Sequence, residues 1–312
     1  MKPVAATLAG IITFNPEEKT LGALLERLAL DDCDIVVFDN GSSNLDAIRA
    51  CCSRINGCAL IESAQNVGVS GAGNELFRIA IDQGRQYVVL FDQDSIPGEG
   101  YCKRLAEVIG QPSNTDVAGV GGAQLCRYTD KLQPFIRFSS WGVSKKNPDS
   151  AGGPVEADFL ITSGTLISIS HLKDLGGFDQ DLFIDNVDVE WCARALVQDY
   201  RLLGVPSVQF THAIGEGHSR LAGISLAKVH SPFRTFYIWR NVLSLLRRNY
   251  IHRAWKINAC VRMVLKLVFL FFVSSDRMVH LKAAIRGVRE MQQKKSLSDV
   301  RSQATEGWGV RV

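Results

Sequence analysis

Val88–Gly98 reads "VVLFDQDSIPG", an apolar run that ends in two carboxylates one residue apart, Asp92 and Asp94, and then in turn-forming Ser, Pro and Gly. Residues i and i+2 of an extended segment point the same way, and the loop after a buried strand is where α/β proteins bind ligands. Two acids so placed can share a cation, or divide a cation and a sugar hydroxyl between them. A solvated turn uses the same residue types, so the surrounding sequence decides. Working outward, short apolar runs alternate with helical patterns. Strands are expected at Ala9–Phe14, Asp34–Asp39, Ala59–Glu62 and Tyr87–Asp92, with helices at Leu21–Leu30, Leu45–Cys52 and Gly71–Gln83. This βαβα rhythm predicts an α/β fold: a mostly parallel, Rossmann-like central sheet with flanking helices and its active loops at the strand C-terminal ends.

The order changes after Val117. Strand-like runs at Val117–Gly121 and Leu160–Ile169 flank Ser139–Pro154, a Gly-, Ser- and Pro-containing stretch that reads as a substrate-side loop or hairpin. A helix at Asp188–Gln198 and a last strand at Val208–Thr211 follow. With 46% hydrophobic and 21% charged residues in 312, the composition is that of a folded globular chain. The eight cysteines include no C-x-x-C pair and no His at zinc spacing, so they read as core filling in a reducing cytosol. The N-terminal "MKPVAATLAGIITFNP" lacks a clear small-residue cleavage site and runs directly into a helix pattern. A first buried strand is expected there rather than a signal peptide, which puts the chain in the cytoplasm.

The net charge of +3 hides a split. Residues 1–227 carry 18 Lys/Arg against 28 Asp/Glu, whereas residues 228–312 carry 17 against 4. A basic half of this kind suits a polyanion, either nucleic acid or an anionic membrane face. Residues 231–290 have helical patterning, and the apolar run "LKLVFLFFV" (Leu265–Val273) has Lys256, Arg262 and Lys266 in or beside it. A spanning helix needs about 18 to 20 uncharged residues; an amphipathic helix lying in the interface fits better. The aromatics there sit among Leu and Val instead of forming a stacking array, which favours lipid over nucleic acid. The expected organisation is a catalytic domain over residues 1–230, a basic membrane-associating region over 231–290 and a polar tail over 291–312.

"QNVGVSGAGN" places Asn66, Gly68, Gly71, Gly73 and Asn74 between a strand and a helix. Glycines admit close backbone approach, and a helix N-terminus favours an anion. A dinucleotide fingerprint belongs in the first βα turn, but that turn here is "TFNPE", without glycine. Together with "ITFNP", "VVFDNGSSN", "LFDQDS", "SGTLIS", "GGFDQDLFIDNVDVEWCARA" and "FTHAIGE", the segment resembles the family 2 inverting glycosyltransferases of GT-A fold, in particular bacterial rhamnosyltransferases of cell-surface polysaccharide synthesis. The resemblance covers about residues 8–245. Each motif is weak by itself; the set in this order is specific.

The resemblance implies a role for each matching residue. Asn15 and Asp39 would hold the nucleotide, with Asp39 facing the base or ribose; an Asx turn on "DNGSS" is the rival reading of Asp39. Asn66, Gly68, Gly71 and Asn74 would pack beside the donor. Asp92 and Asp94 look like the D-x-D pair, with Asp94 on a divalent Mg²⁺ or Mn²⁺ and Asp92 toward the metal, sugar or ribose. His212 matches a histidine that some relatives add as a metal ligand. Asp188 falls on the catalytic-base position, with Val187 where the family usually has Glu, so Asp185 is a rival base. Trp191 and Glu190 would border the acceptor, and Arg194 would orient or pair the acids. Arg234 and Arg240 of "FRTFYIWRN" would face phosphate, lipid or solvent. The implied reaction is transfer of L-rhamnose from dTDP-L-rhamnose to a polyprenyl-diphosphate-linked or growing glycan, at the cytoplasmic face of the membrane and with inversion. UDP-hexose or UDP-galactofuranose is the near alternative donor, and a non-catalytic nucleotide-sugar binder or a nucleic-acid-binding module is the more distant reading.

Overall fold

A computed structural model describes residues 6–127, 130–140, 142–150, 152–212, 220–221, 224–225, 231–273 and 276–306. The chain forms two compact units, Met1–Gly217 and His218–Val312, where the sequence suggested a break near residue 230.

The first unit opens with β1 (Thr7–Thr13), α1 (Glu18–Ala29), β2 (Asp34–Asp39), α2 (Leu45–Ser53), β3 (Ala59–Glu62), α3 (Gly68–Asp82) and β4 (Tyr87–Asp92). β1 is buried at every position, as a strand covered on both faces must be. It lies parallel to β2 on one side and β4 on the other. α1 buries Leu21, Leu24, Leu25 and Leu28, the i, i+3, i+4, i+7 stripe that faces a core. The register sets Thr13 beside Asp39 and Ile12 beside Asp92, so the carboxylates ending β2 and β4 flank the end of β1 at nearly one level.

Beyond β4 the chain forms β5 (Ser95–Pro97), α4 (Tyr101–Ile109), β6 (Val117–Cys126), β7 (Lys131–Leu132) and a separate hairpin of β8 (Phe135–Ser139) and β9 (Gly142–Lys146). Then come β10 (Val155–Ala157), β11 (Thr165–Ser168), α5 (Ile169–Leu175), α6 (Val187–Val197) and β12 (Arg201–His212). The sheet order is β10-β12-β6-β11-β4-β1-β2-β3, with β5 paired to β12 and β7 to β6. β11 is antiparallel to both of its neighbours, and β12 returns parallel to β6.

Several boundaries differ from the sequence reading. β6 and β12 are longer than expected because their glycines serve packing: a Cβ on Gly122 would lie 2.7 Å from the Tyr101 ring, and one on Gly204 2.4 Å from Phe135. The run at Leu160–Ile169 yields only the four-residue β11 and leads straight into α5, and α4 went unassigned although its buried Tyr101, Cys102, Leu105 and Ile109 fall at helical spacing. Tyr101 of α4 is fully buried, with its edge toward Phe91 and Phe210. Its hydroxyl donates to Gly164 O at 2.6 Å and accepts from Gly122 N at 3.1 Å. One phenol thus ties α4 to β6 and to the turn before β11.

In the second unit, β13 (Arg220–Leu221) pairs with β14 (Ile224–Ser225), and three helices follow: α7 (Pro232–Arg247), α8 (Arg253–Val273) and α9 (Arg277–Glu306). Ser231 caps α7 by accepting from Arg234 N. α7 packs on α9 through Thr235 Oγ1 to His280 Nδ1, 3.0 Å, and Arg240 to Glu290, 3.2 Å. Arg240 is only 7% exposed and lies 4.6 Å over the Tyr237 ring, so it braces this helix pair instead of meeting solvent, phosphate or lipid. α9 continues through Glu306, so most of the expected tail is helical.

Candidate active site

The acids meet because the chain doubles back immediately after them. Beyond Asp94 it turns into β5 and pairs antiparallel with the end of β12: Pro97 opposite Phe210, Ile96 opposite Thr211 and Ser95 opposite His212. Gly98 N then donates to Gln209 O at 2.9 Å, and its lack of a Cβ allows that approach, since one would lie 2.8 Å from the same oxygen. This closure sets His212 Nδ1 3.4 Å from Asp94 Oδ1 and Nε2 3.9 Å from Asp92 Oδ2. One donor atom from each of Asp92, Asp94 and His212 lies within 4.8 Å of the others, a spacing that can hold a metal ion. The set of two carboxylates and an imidazole, each only partly exposed, suits a divalent cation with open positions.

The loops of the parallel half are stitched together around this centre. Asn15 adopts positive φ (48°); its N–H donates to Ser42 Oγ, and its side-chain oxygen accepts from Ser43 N and Oγ, each at 2.8 Å. Asp39 is 1% exposed and accepts from Ser42 N at 3.0 Å, from Ser42 Oγ and from Thr13 Oγ1. The Asx turn is therefore present, and it occupies both carboxylate oxygens. Gln93, between the two acids, accepts from Phe14 N at 2.7 Å and donates to Phe14 O at 3.3 Å, a two-sided clamp that nothing in the sequence announced. Asn40 was likewise missed: it is buried, accepts from Val67 N and donates to Gly68 O, and so anchors the start of α3.

The helix expected from Gly71 begins three residues earlier, so Gly68 joins Gly71 and Asn74 inside α3. Gly68 has φ +76°, and a Cβ there would lie 2.4 Å from Phe183 O; one on Gly71 would lie 2.9 Å from Val67. Asn74 accepts from Phe178 N and donates to Phe178 O, and Asn66 accepts from Gly68 N. Gly68, by lacking a side chain, and Asn74, by its two hydrogen bonds, dock α3 against residues 178–183. Phe183 itself has φ 62° and ψ −63°, with Ile184 N bonded to Leu182 O at 2.7 Å. That is the strained γ-turn geometry. Asp185 and Asn186 come next, also at φ 63°. A run of sparsely populated backbone thus leads into α6, as strain does at functional sites.

Asp188 sits in the first turn of α6 and accepts from Val189 N at 2.9 Å. Burial pushes its carboxyl up to about 6, and the neighbouring carboxylates of Asp185 and Asp92 act in the same direction. Asp188 therefore shares an electrostatic neighbourhood with the D-x-D loop, although 96 residues separate it from Asp92. Trp191 and Glu190 are each only 2% exposed. Trp191 Nε1 donates to Gly176 O, and Glu190 forms a two-point ion pair with Arg194, which also donates to Gly177 O. These residues hold the "LGGF" turn, and burial with protein partners leaves neither as a border for an acceptor. Of "FTHAIGE", residues 213–216 lie outside the described residues.

Comparison with known proteins gives a consistent context. The sequence model of the glycosyl transferase family 2 matches residues 9–169. The dTDP-rhamnosyl transferase RfbF of Shigella flexneri is 29% identical over 286 residues, covering 90% of this chain and 95% of that protein. Among solved structures, S. aureus TarS 1–349 in complex with UDP-GlcNAc aligns with a TM-score of 0.56 at 16% identity, over 92% of this chain and 80% of that one. GalNAc-T7 with UDP, GalNAc and Mn²⁺ aligns with a TM-score of 0.56 at 15% identity, over 80% of this chain and about half (49%) of that one. At such identities these two likenesses concern the fold.

The Asp188 environment makes a signed prediction. Between the ordinary carboxylate value of about 3.9 and about 6, the folded chain retains a proton that the unfolded chain releases, so stability falls as pH rises through this window. Above it the whole penalty is present. Metal-free Asp188→Asn should melt higher than the parent at pH 8, with the gain shrinking as pH is lowered through 6 toward 4. Melting curves across pH test this, and equal midpoints at pH 8 contradict it.

Proposed function

The chain belongs to glycosyl transferase family 2 and is a glycosyltransferase, and from that premise we propose that it is a metal-dependent inverting enzyme that transfers L-rhamnose from dTDP-L-rhamnose to a lipid-linked or growing cell-surface glycan. The observation that carries the chemistry is the meeting of Asp92, Asp94 and His212 beside Asp188. The rhamnosyl donor is supported by the similarity to RfbF along nearly the whole of both chains. A UDP-sugar donor is the second reading, favoured by the nucleotides named with the two solved neighbours.

Asp92, Asp94 and His212 would hold Mg²⁺ or Mn²⁺, which supplies positive charge opposite a leaving diphosphate. The protein's own work is then positional and acid–base. Asp188 accepts the proton of the acceptor hydroxyl while that oxygen bonds to the anomeric carbon and the carbon–phosphate oxygen bond breaks on the opposite face. A carboxyl held near 6 is mostly ionised at pH 7 and is a stronger base than an ordinary aspartate. The loop clamps at Asn15, Asp39 and Gln93 keep the β1, β2 and β4 loops in one arrangement around the donor.

We also propose that the second unit rests on the cytoplasmic face of an anionic membrane. α8 exposes Ile257, Val261, Val264, Leu265 and Val268 at helical spacing in a strongly basic segment. Among the described residues no helix is long and apolar enough to cross a membrane.

Calorimetry and vesicle sedimentation test these readings separately. In calorimetry with Mn²⁺, dTDP should bind more tightly than UDP, and Asp94→Ala should remove the metal-dependent part of the affinity while leaving the melting transition cooperative. Metal-dependent binding that survives in folded Asp94→Ala contradicts the site, whereas preference for UDP redirects only the donor. The full-length protein should sediment with phosphatidylglycerol-containing vesicles at low salt and less so at high salt. Absence of binding to such vesicles at low ionic strength contradicts the membrane reading.

A further inference from the structure

The "SGTLIS" motif opens with Ser163, and Ser95 directly follows the D-x-D pair. Ser163 and Ser95 are buried, 2% and 0% exposed. They form one chain of polar contacts: Asp92 N donates to Ser163 Oγ at 3.0 Å, Ser163 Oγ meets Ser95 Oγ at 2.7 Å, and Ser95 Oγ meets His212 Nδ1 at 2.8 Å. This chain joins the ends of β4, β5 and β12 to the turn before β11. Its anchor is rigid, because Gly164, next to Ser163, bonds through its N–H to Leu90 O at 2.7 Å and through its carbonyl to the Tyr101 hydroxyl.

We infer that Ser95, held by Ser163, is the positioning residue that fixes the ring orientation of His212 for a divalent cation. This rests on the metal-centre reading proposed above. An imidazole has one lone pair to give when neutral, and its other nitrogen then carries the proton. Either hydroxyl can donate or accept, so the chain follows the ring: when a cation takes the Nε2 lone pair, on the nitrogen that faces Asp92, Nδ1 carries the proton and donates to Ser95 Oγ, and Ser95 donates onward to Ser163. Ser163 has a second task, since the same oxygen receives the Asp92 amide and so fixes the backbone that carries the first acid. Two buried hydroxyls thereby set two of the three candidate ligands.

The test is a thermodynamic cycle on Mn²⁺ binding by the full chain with dTDP present, read by the electron paramagnetic resonance signal of free Mn²⁺ and by nitrogen modulation from a coordinated imidazole. Loss of a partner behind a ligating histidine typically weakens metal binding by about 10- to 100-fold. Ser95→Ala should show that loss and a diminished nitrogen signature. In a His212→Ala background the same change should have almost no further effect, because a residue acting through His212 has nothing left to position. Ser163→Ala should weaken Mn²⁺ in both backgrounds, since it also holds Asp92, but more where His212 is present; that difference provides the reading if Ser95→Ala does not fold, and equal losses overturn the inference. Equal losses for Ser95→Ala with and without His212, or unchanged affinity in a folded Ser95→Ala, overturn the inference and leave the metal centre standing. Failure of the parent chain to bind Mn²⁺ at all removes the centre and the inference together.

Discussion

Three backbone pairs, between Ser95–Pro97 and Phe210–His212, hold the loop after β4 against the end of β12. Without this short ladder Asp92 and Asp94 would end a strand in a solvated turn, as many Asp-containing loops do, and His212 would close a strand with nothing to face. Each such hydrogen bond contributes only about 1 kcal/mol net, so the ladder alone cannot secure the loop. It is supported by the close approach of Gly98 to Gln209, by the Gln93 clamp on Phe14 and by the buried serines beneath it. The site is thus specified by many weak contacts that agree, and none of them is made by the acids' own carboxylates.

The acids themselves work against the fold. Asp188 gives up hydration, and the carboxylates of Asp185 and Asp92 both repel it, which is why its carboxyl is pushed up. The loop that carries Asp185 adds backbone strain at Phe183, Asp185 and Asn186. The packing of Gly68 against Phe183 and the Glu190–Arg194 lock on the Gly176–Gly177 turn stabilise that loop from both sides. A bound cation would relieve the repulsion, so ligand binding and local stability should be coupled here. Proteins commonly give up stability at such places for activity.

Much of this was legible in the sequence, for identifiable reasons. The first four strands were readable because continuous apolar runs, broken by helical periodicity, have one reading in an α/β fold, and the D-x-D pair stood out at the end of such a run. β5 was not legible, since three residues that include a proline resemble a turn and are made a strand only by partners 113 to 117 residues away. The packing role of Gly68 and Gly73 was not legible because loop cradles and close helix packing call for the same residue; only the positions of Phe183 and Phe178 reveal it. Trp191 and Glu190 were misplaced for a similar reason, as a helix next to a catalytic acid must also face a core. The pairing of Ser95 with Ser163 crosses 68 residues and involves small polar side chains, which leave no periodic trace.

In the proposed reaction Asp188, beside the D-x-D loop, removes the proton from the acceptor hydroxyl. The most direct measurement is turnover of Asp188→Asn and Asp185→Asn at saturating donor, with donor affinity measured alongside. An amide keeps the shape of the carboxylate but accepts no proton, so Asp188→Asn should lose about 10²- to 10⁴-fold or more in rate with nearly unchanged donor affinity, and Asp185→Asn should lose less. Normal turnover by Asp188→Asn together with inactivity of Asp185→Asn would contradict the assignment and transfer the base to Asp185.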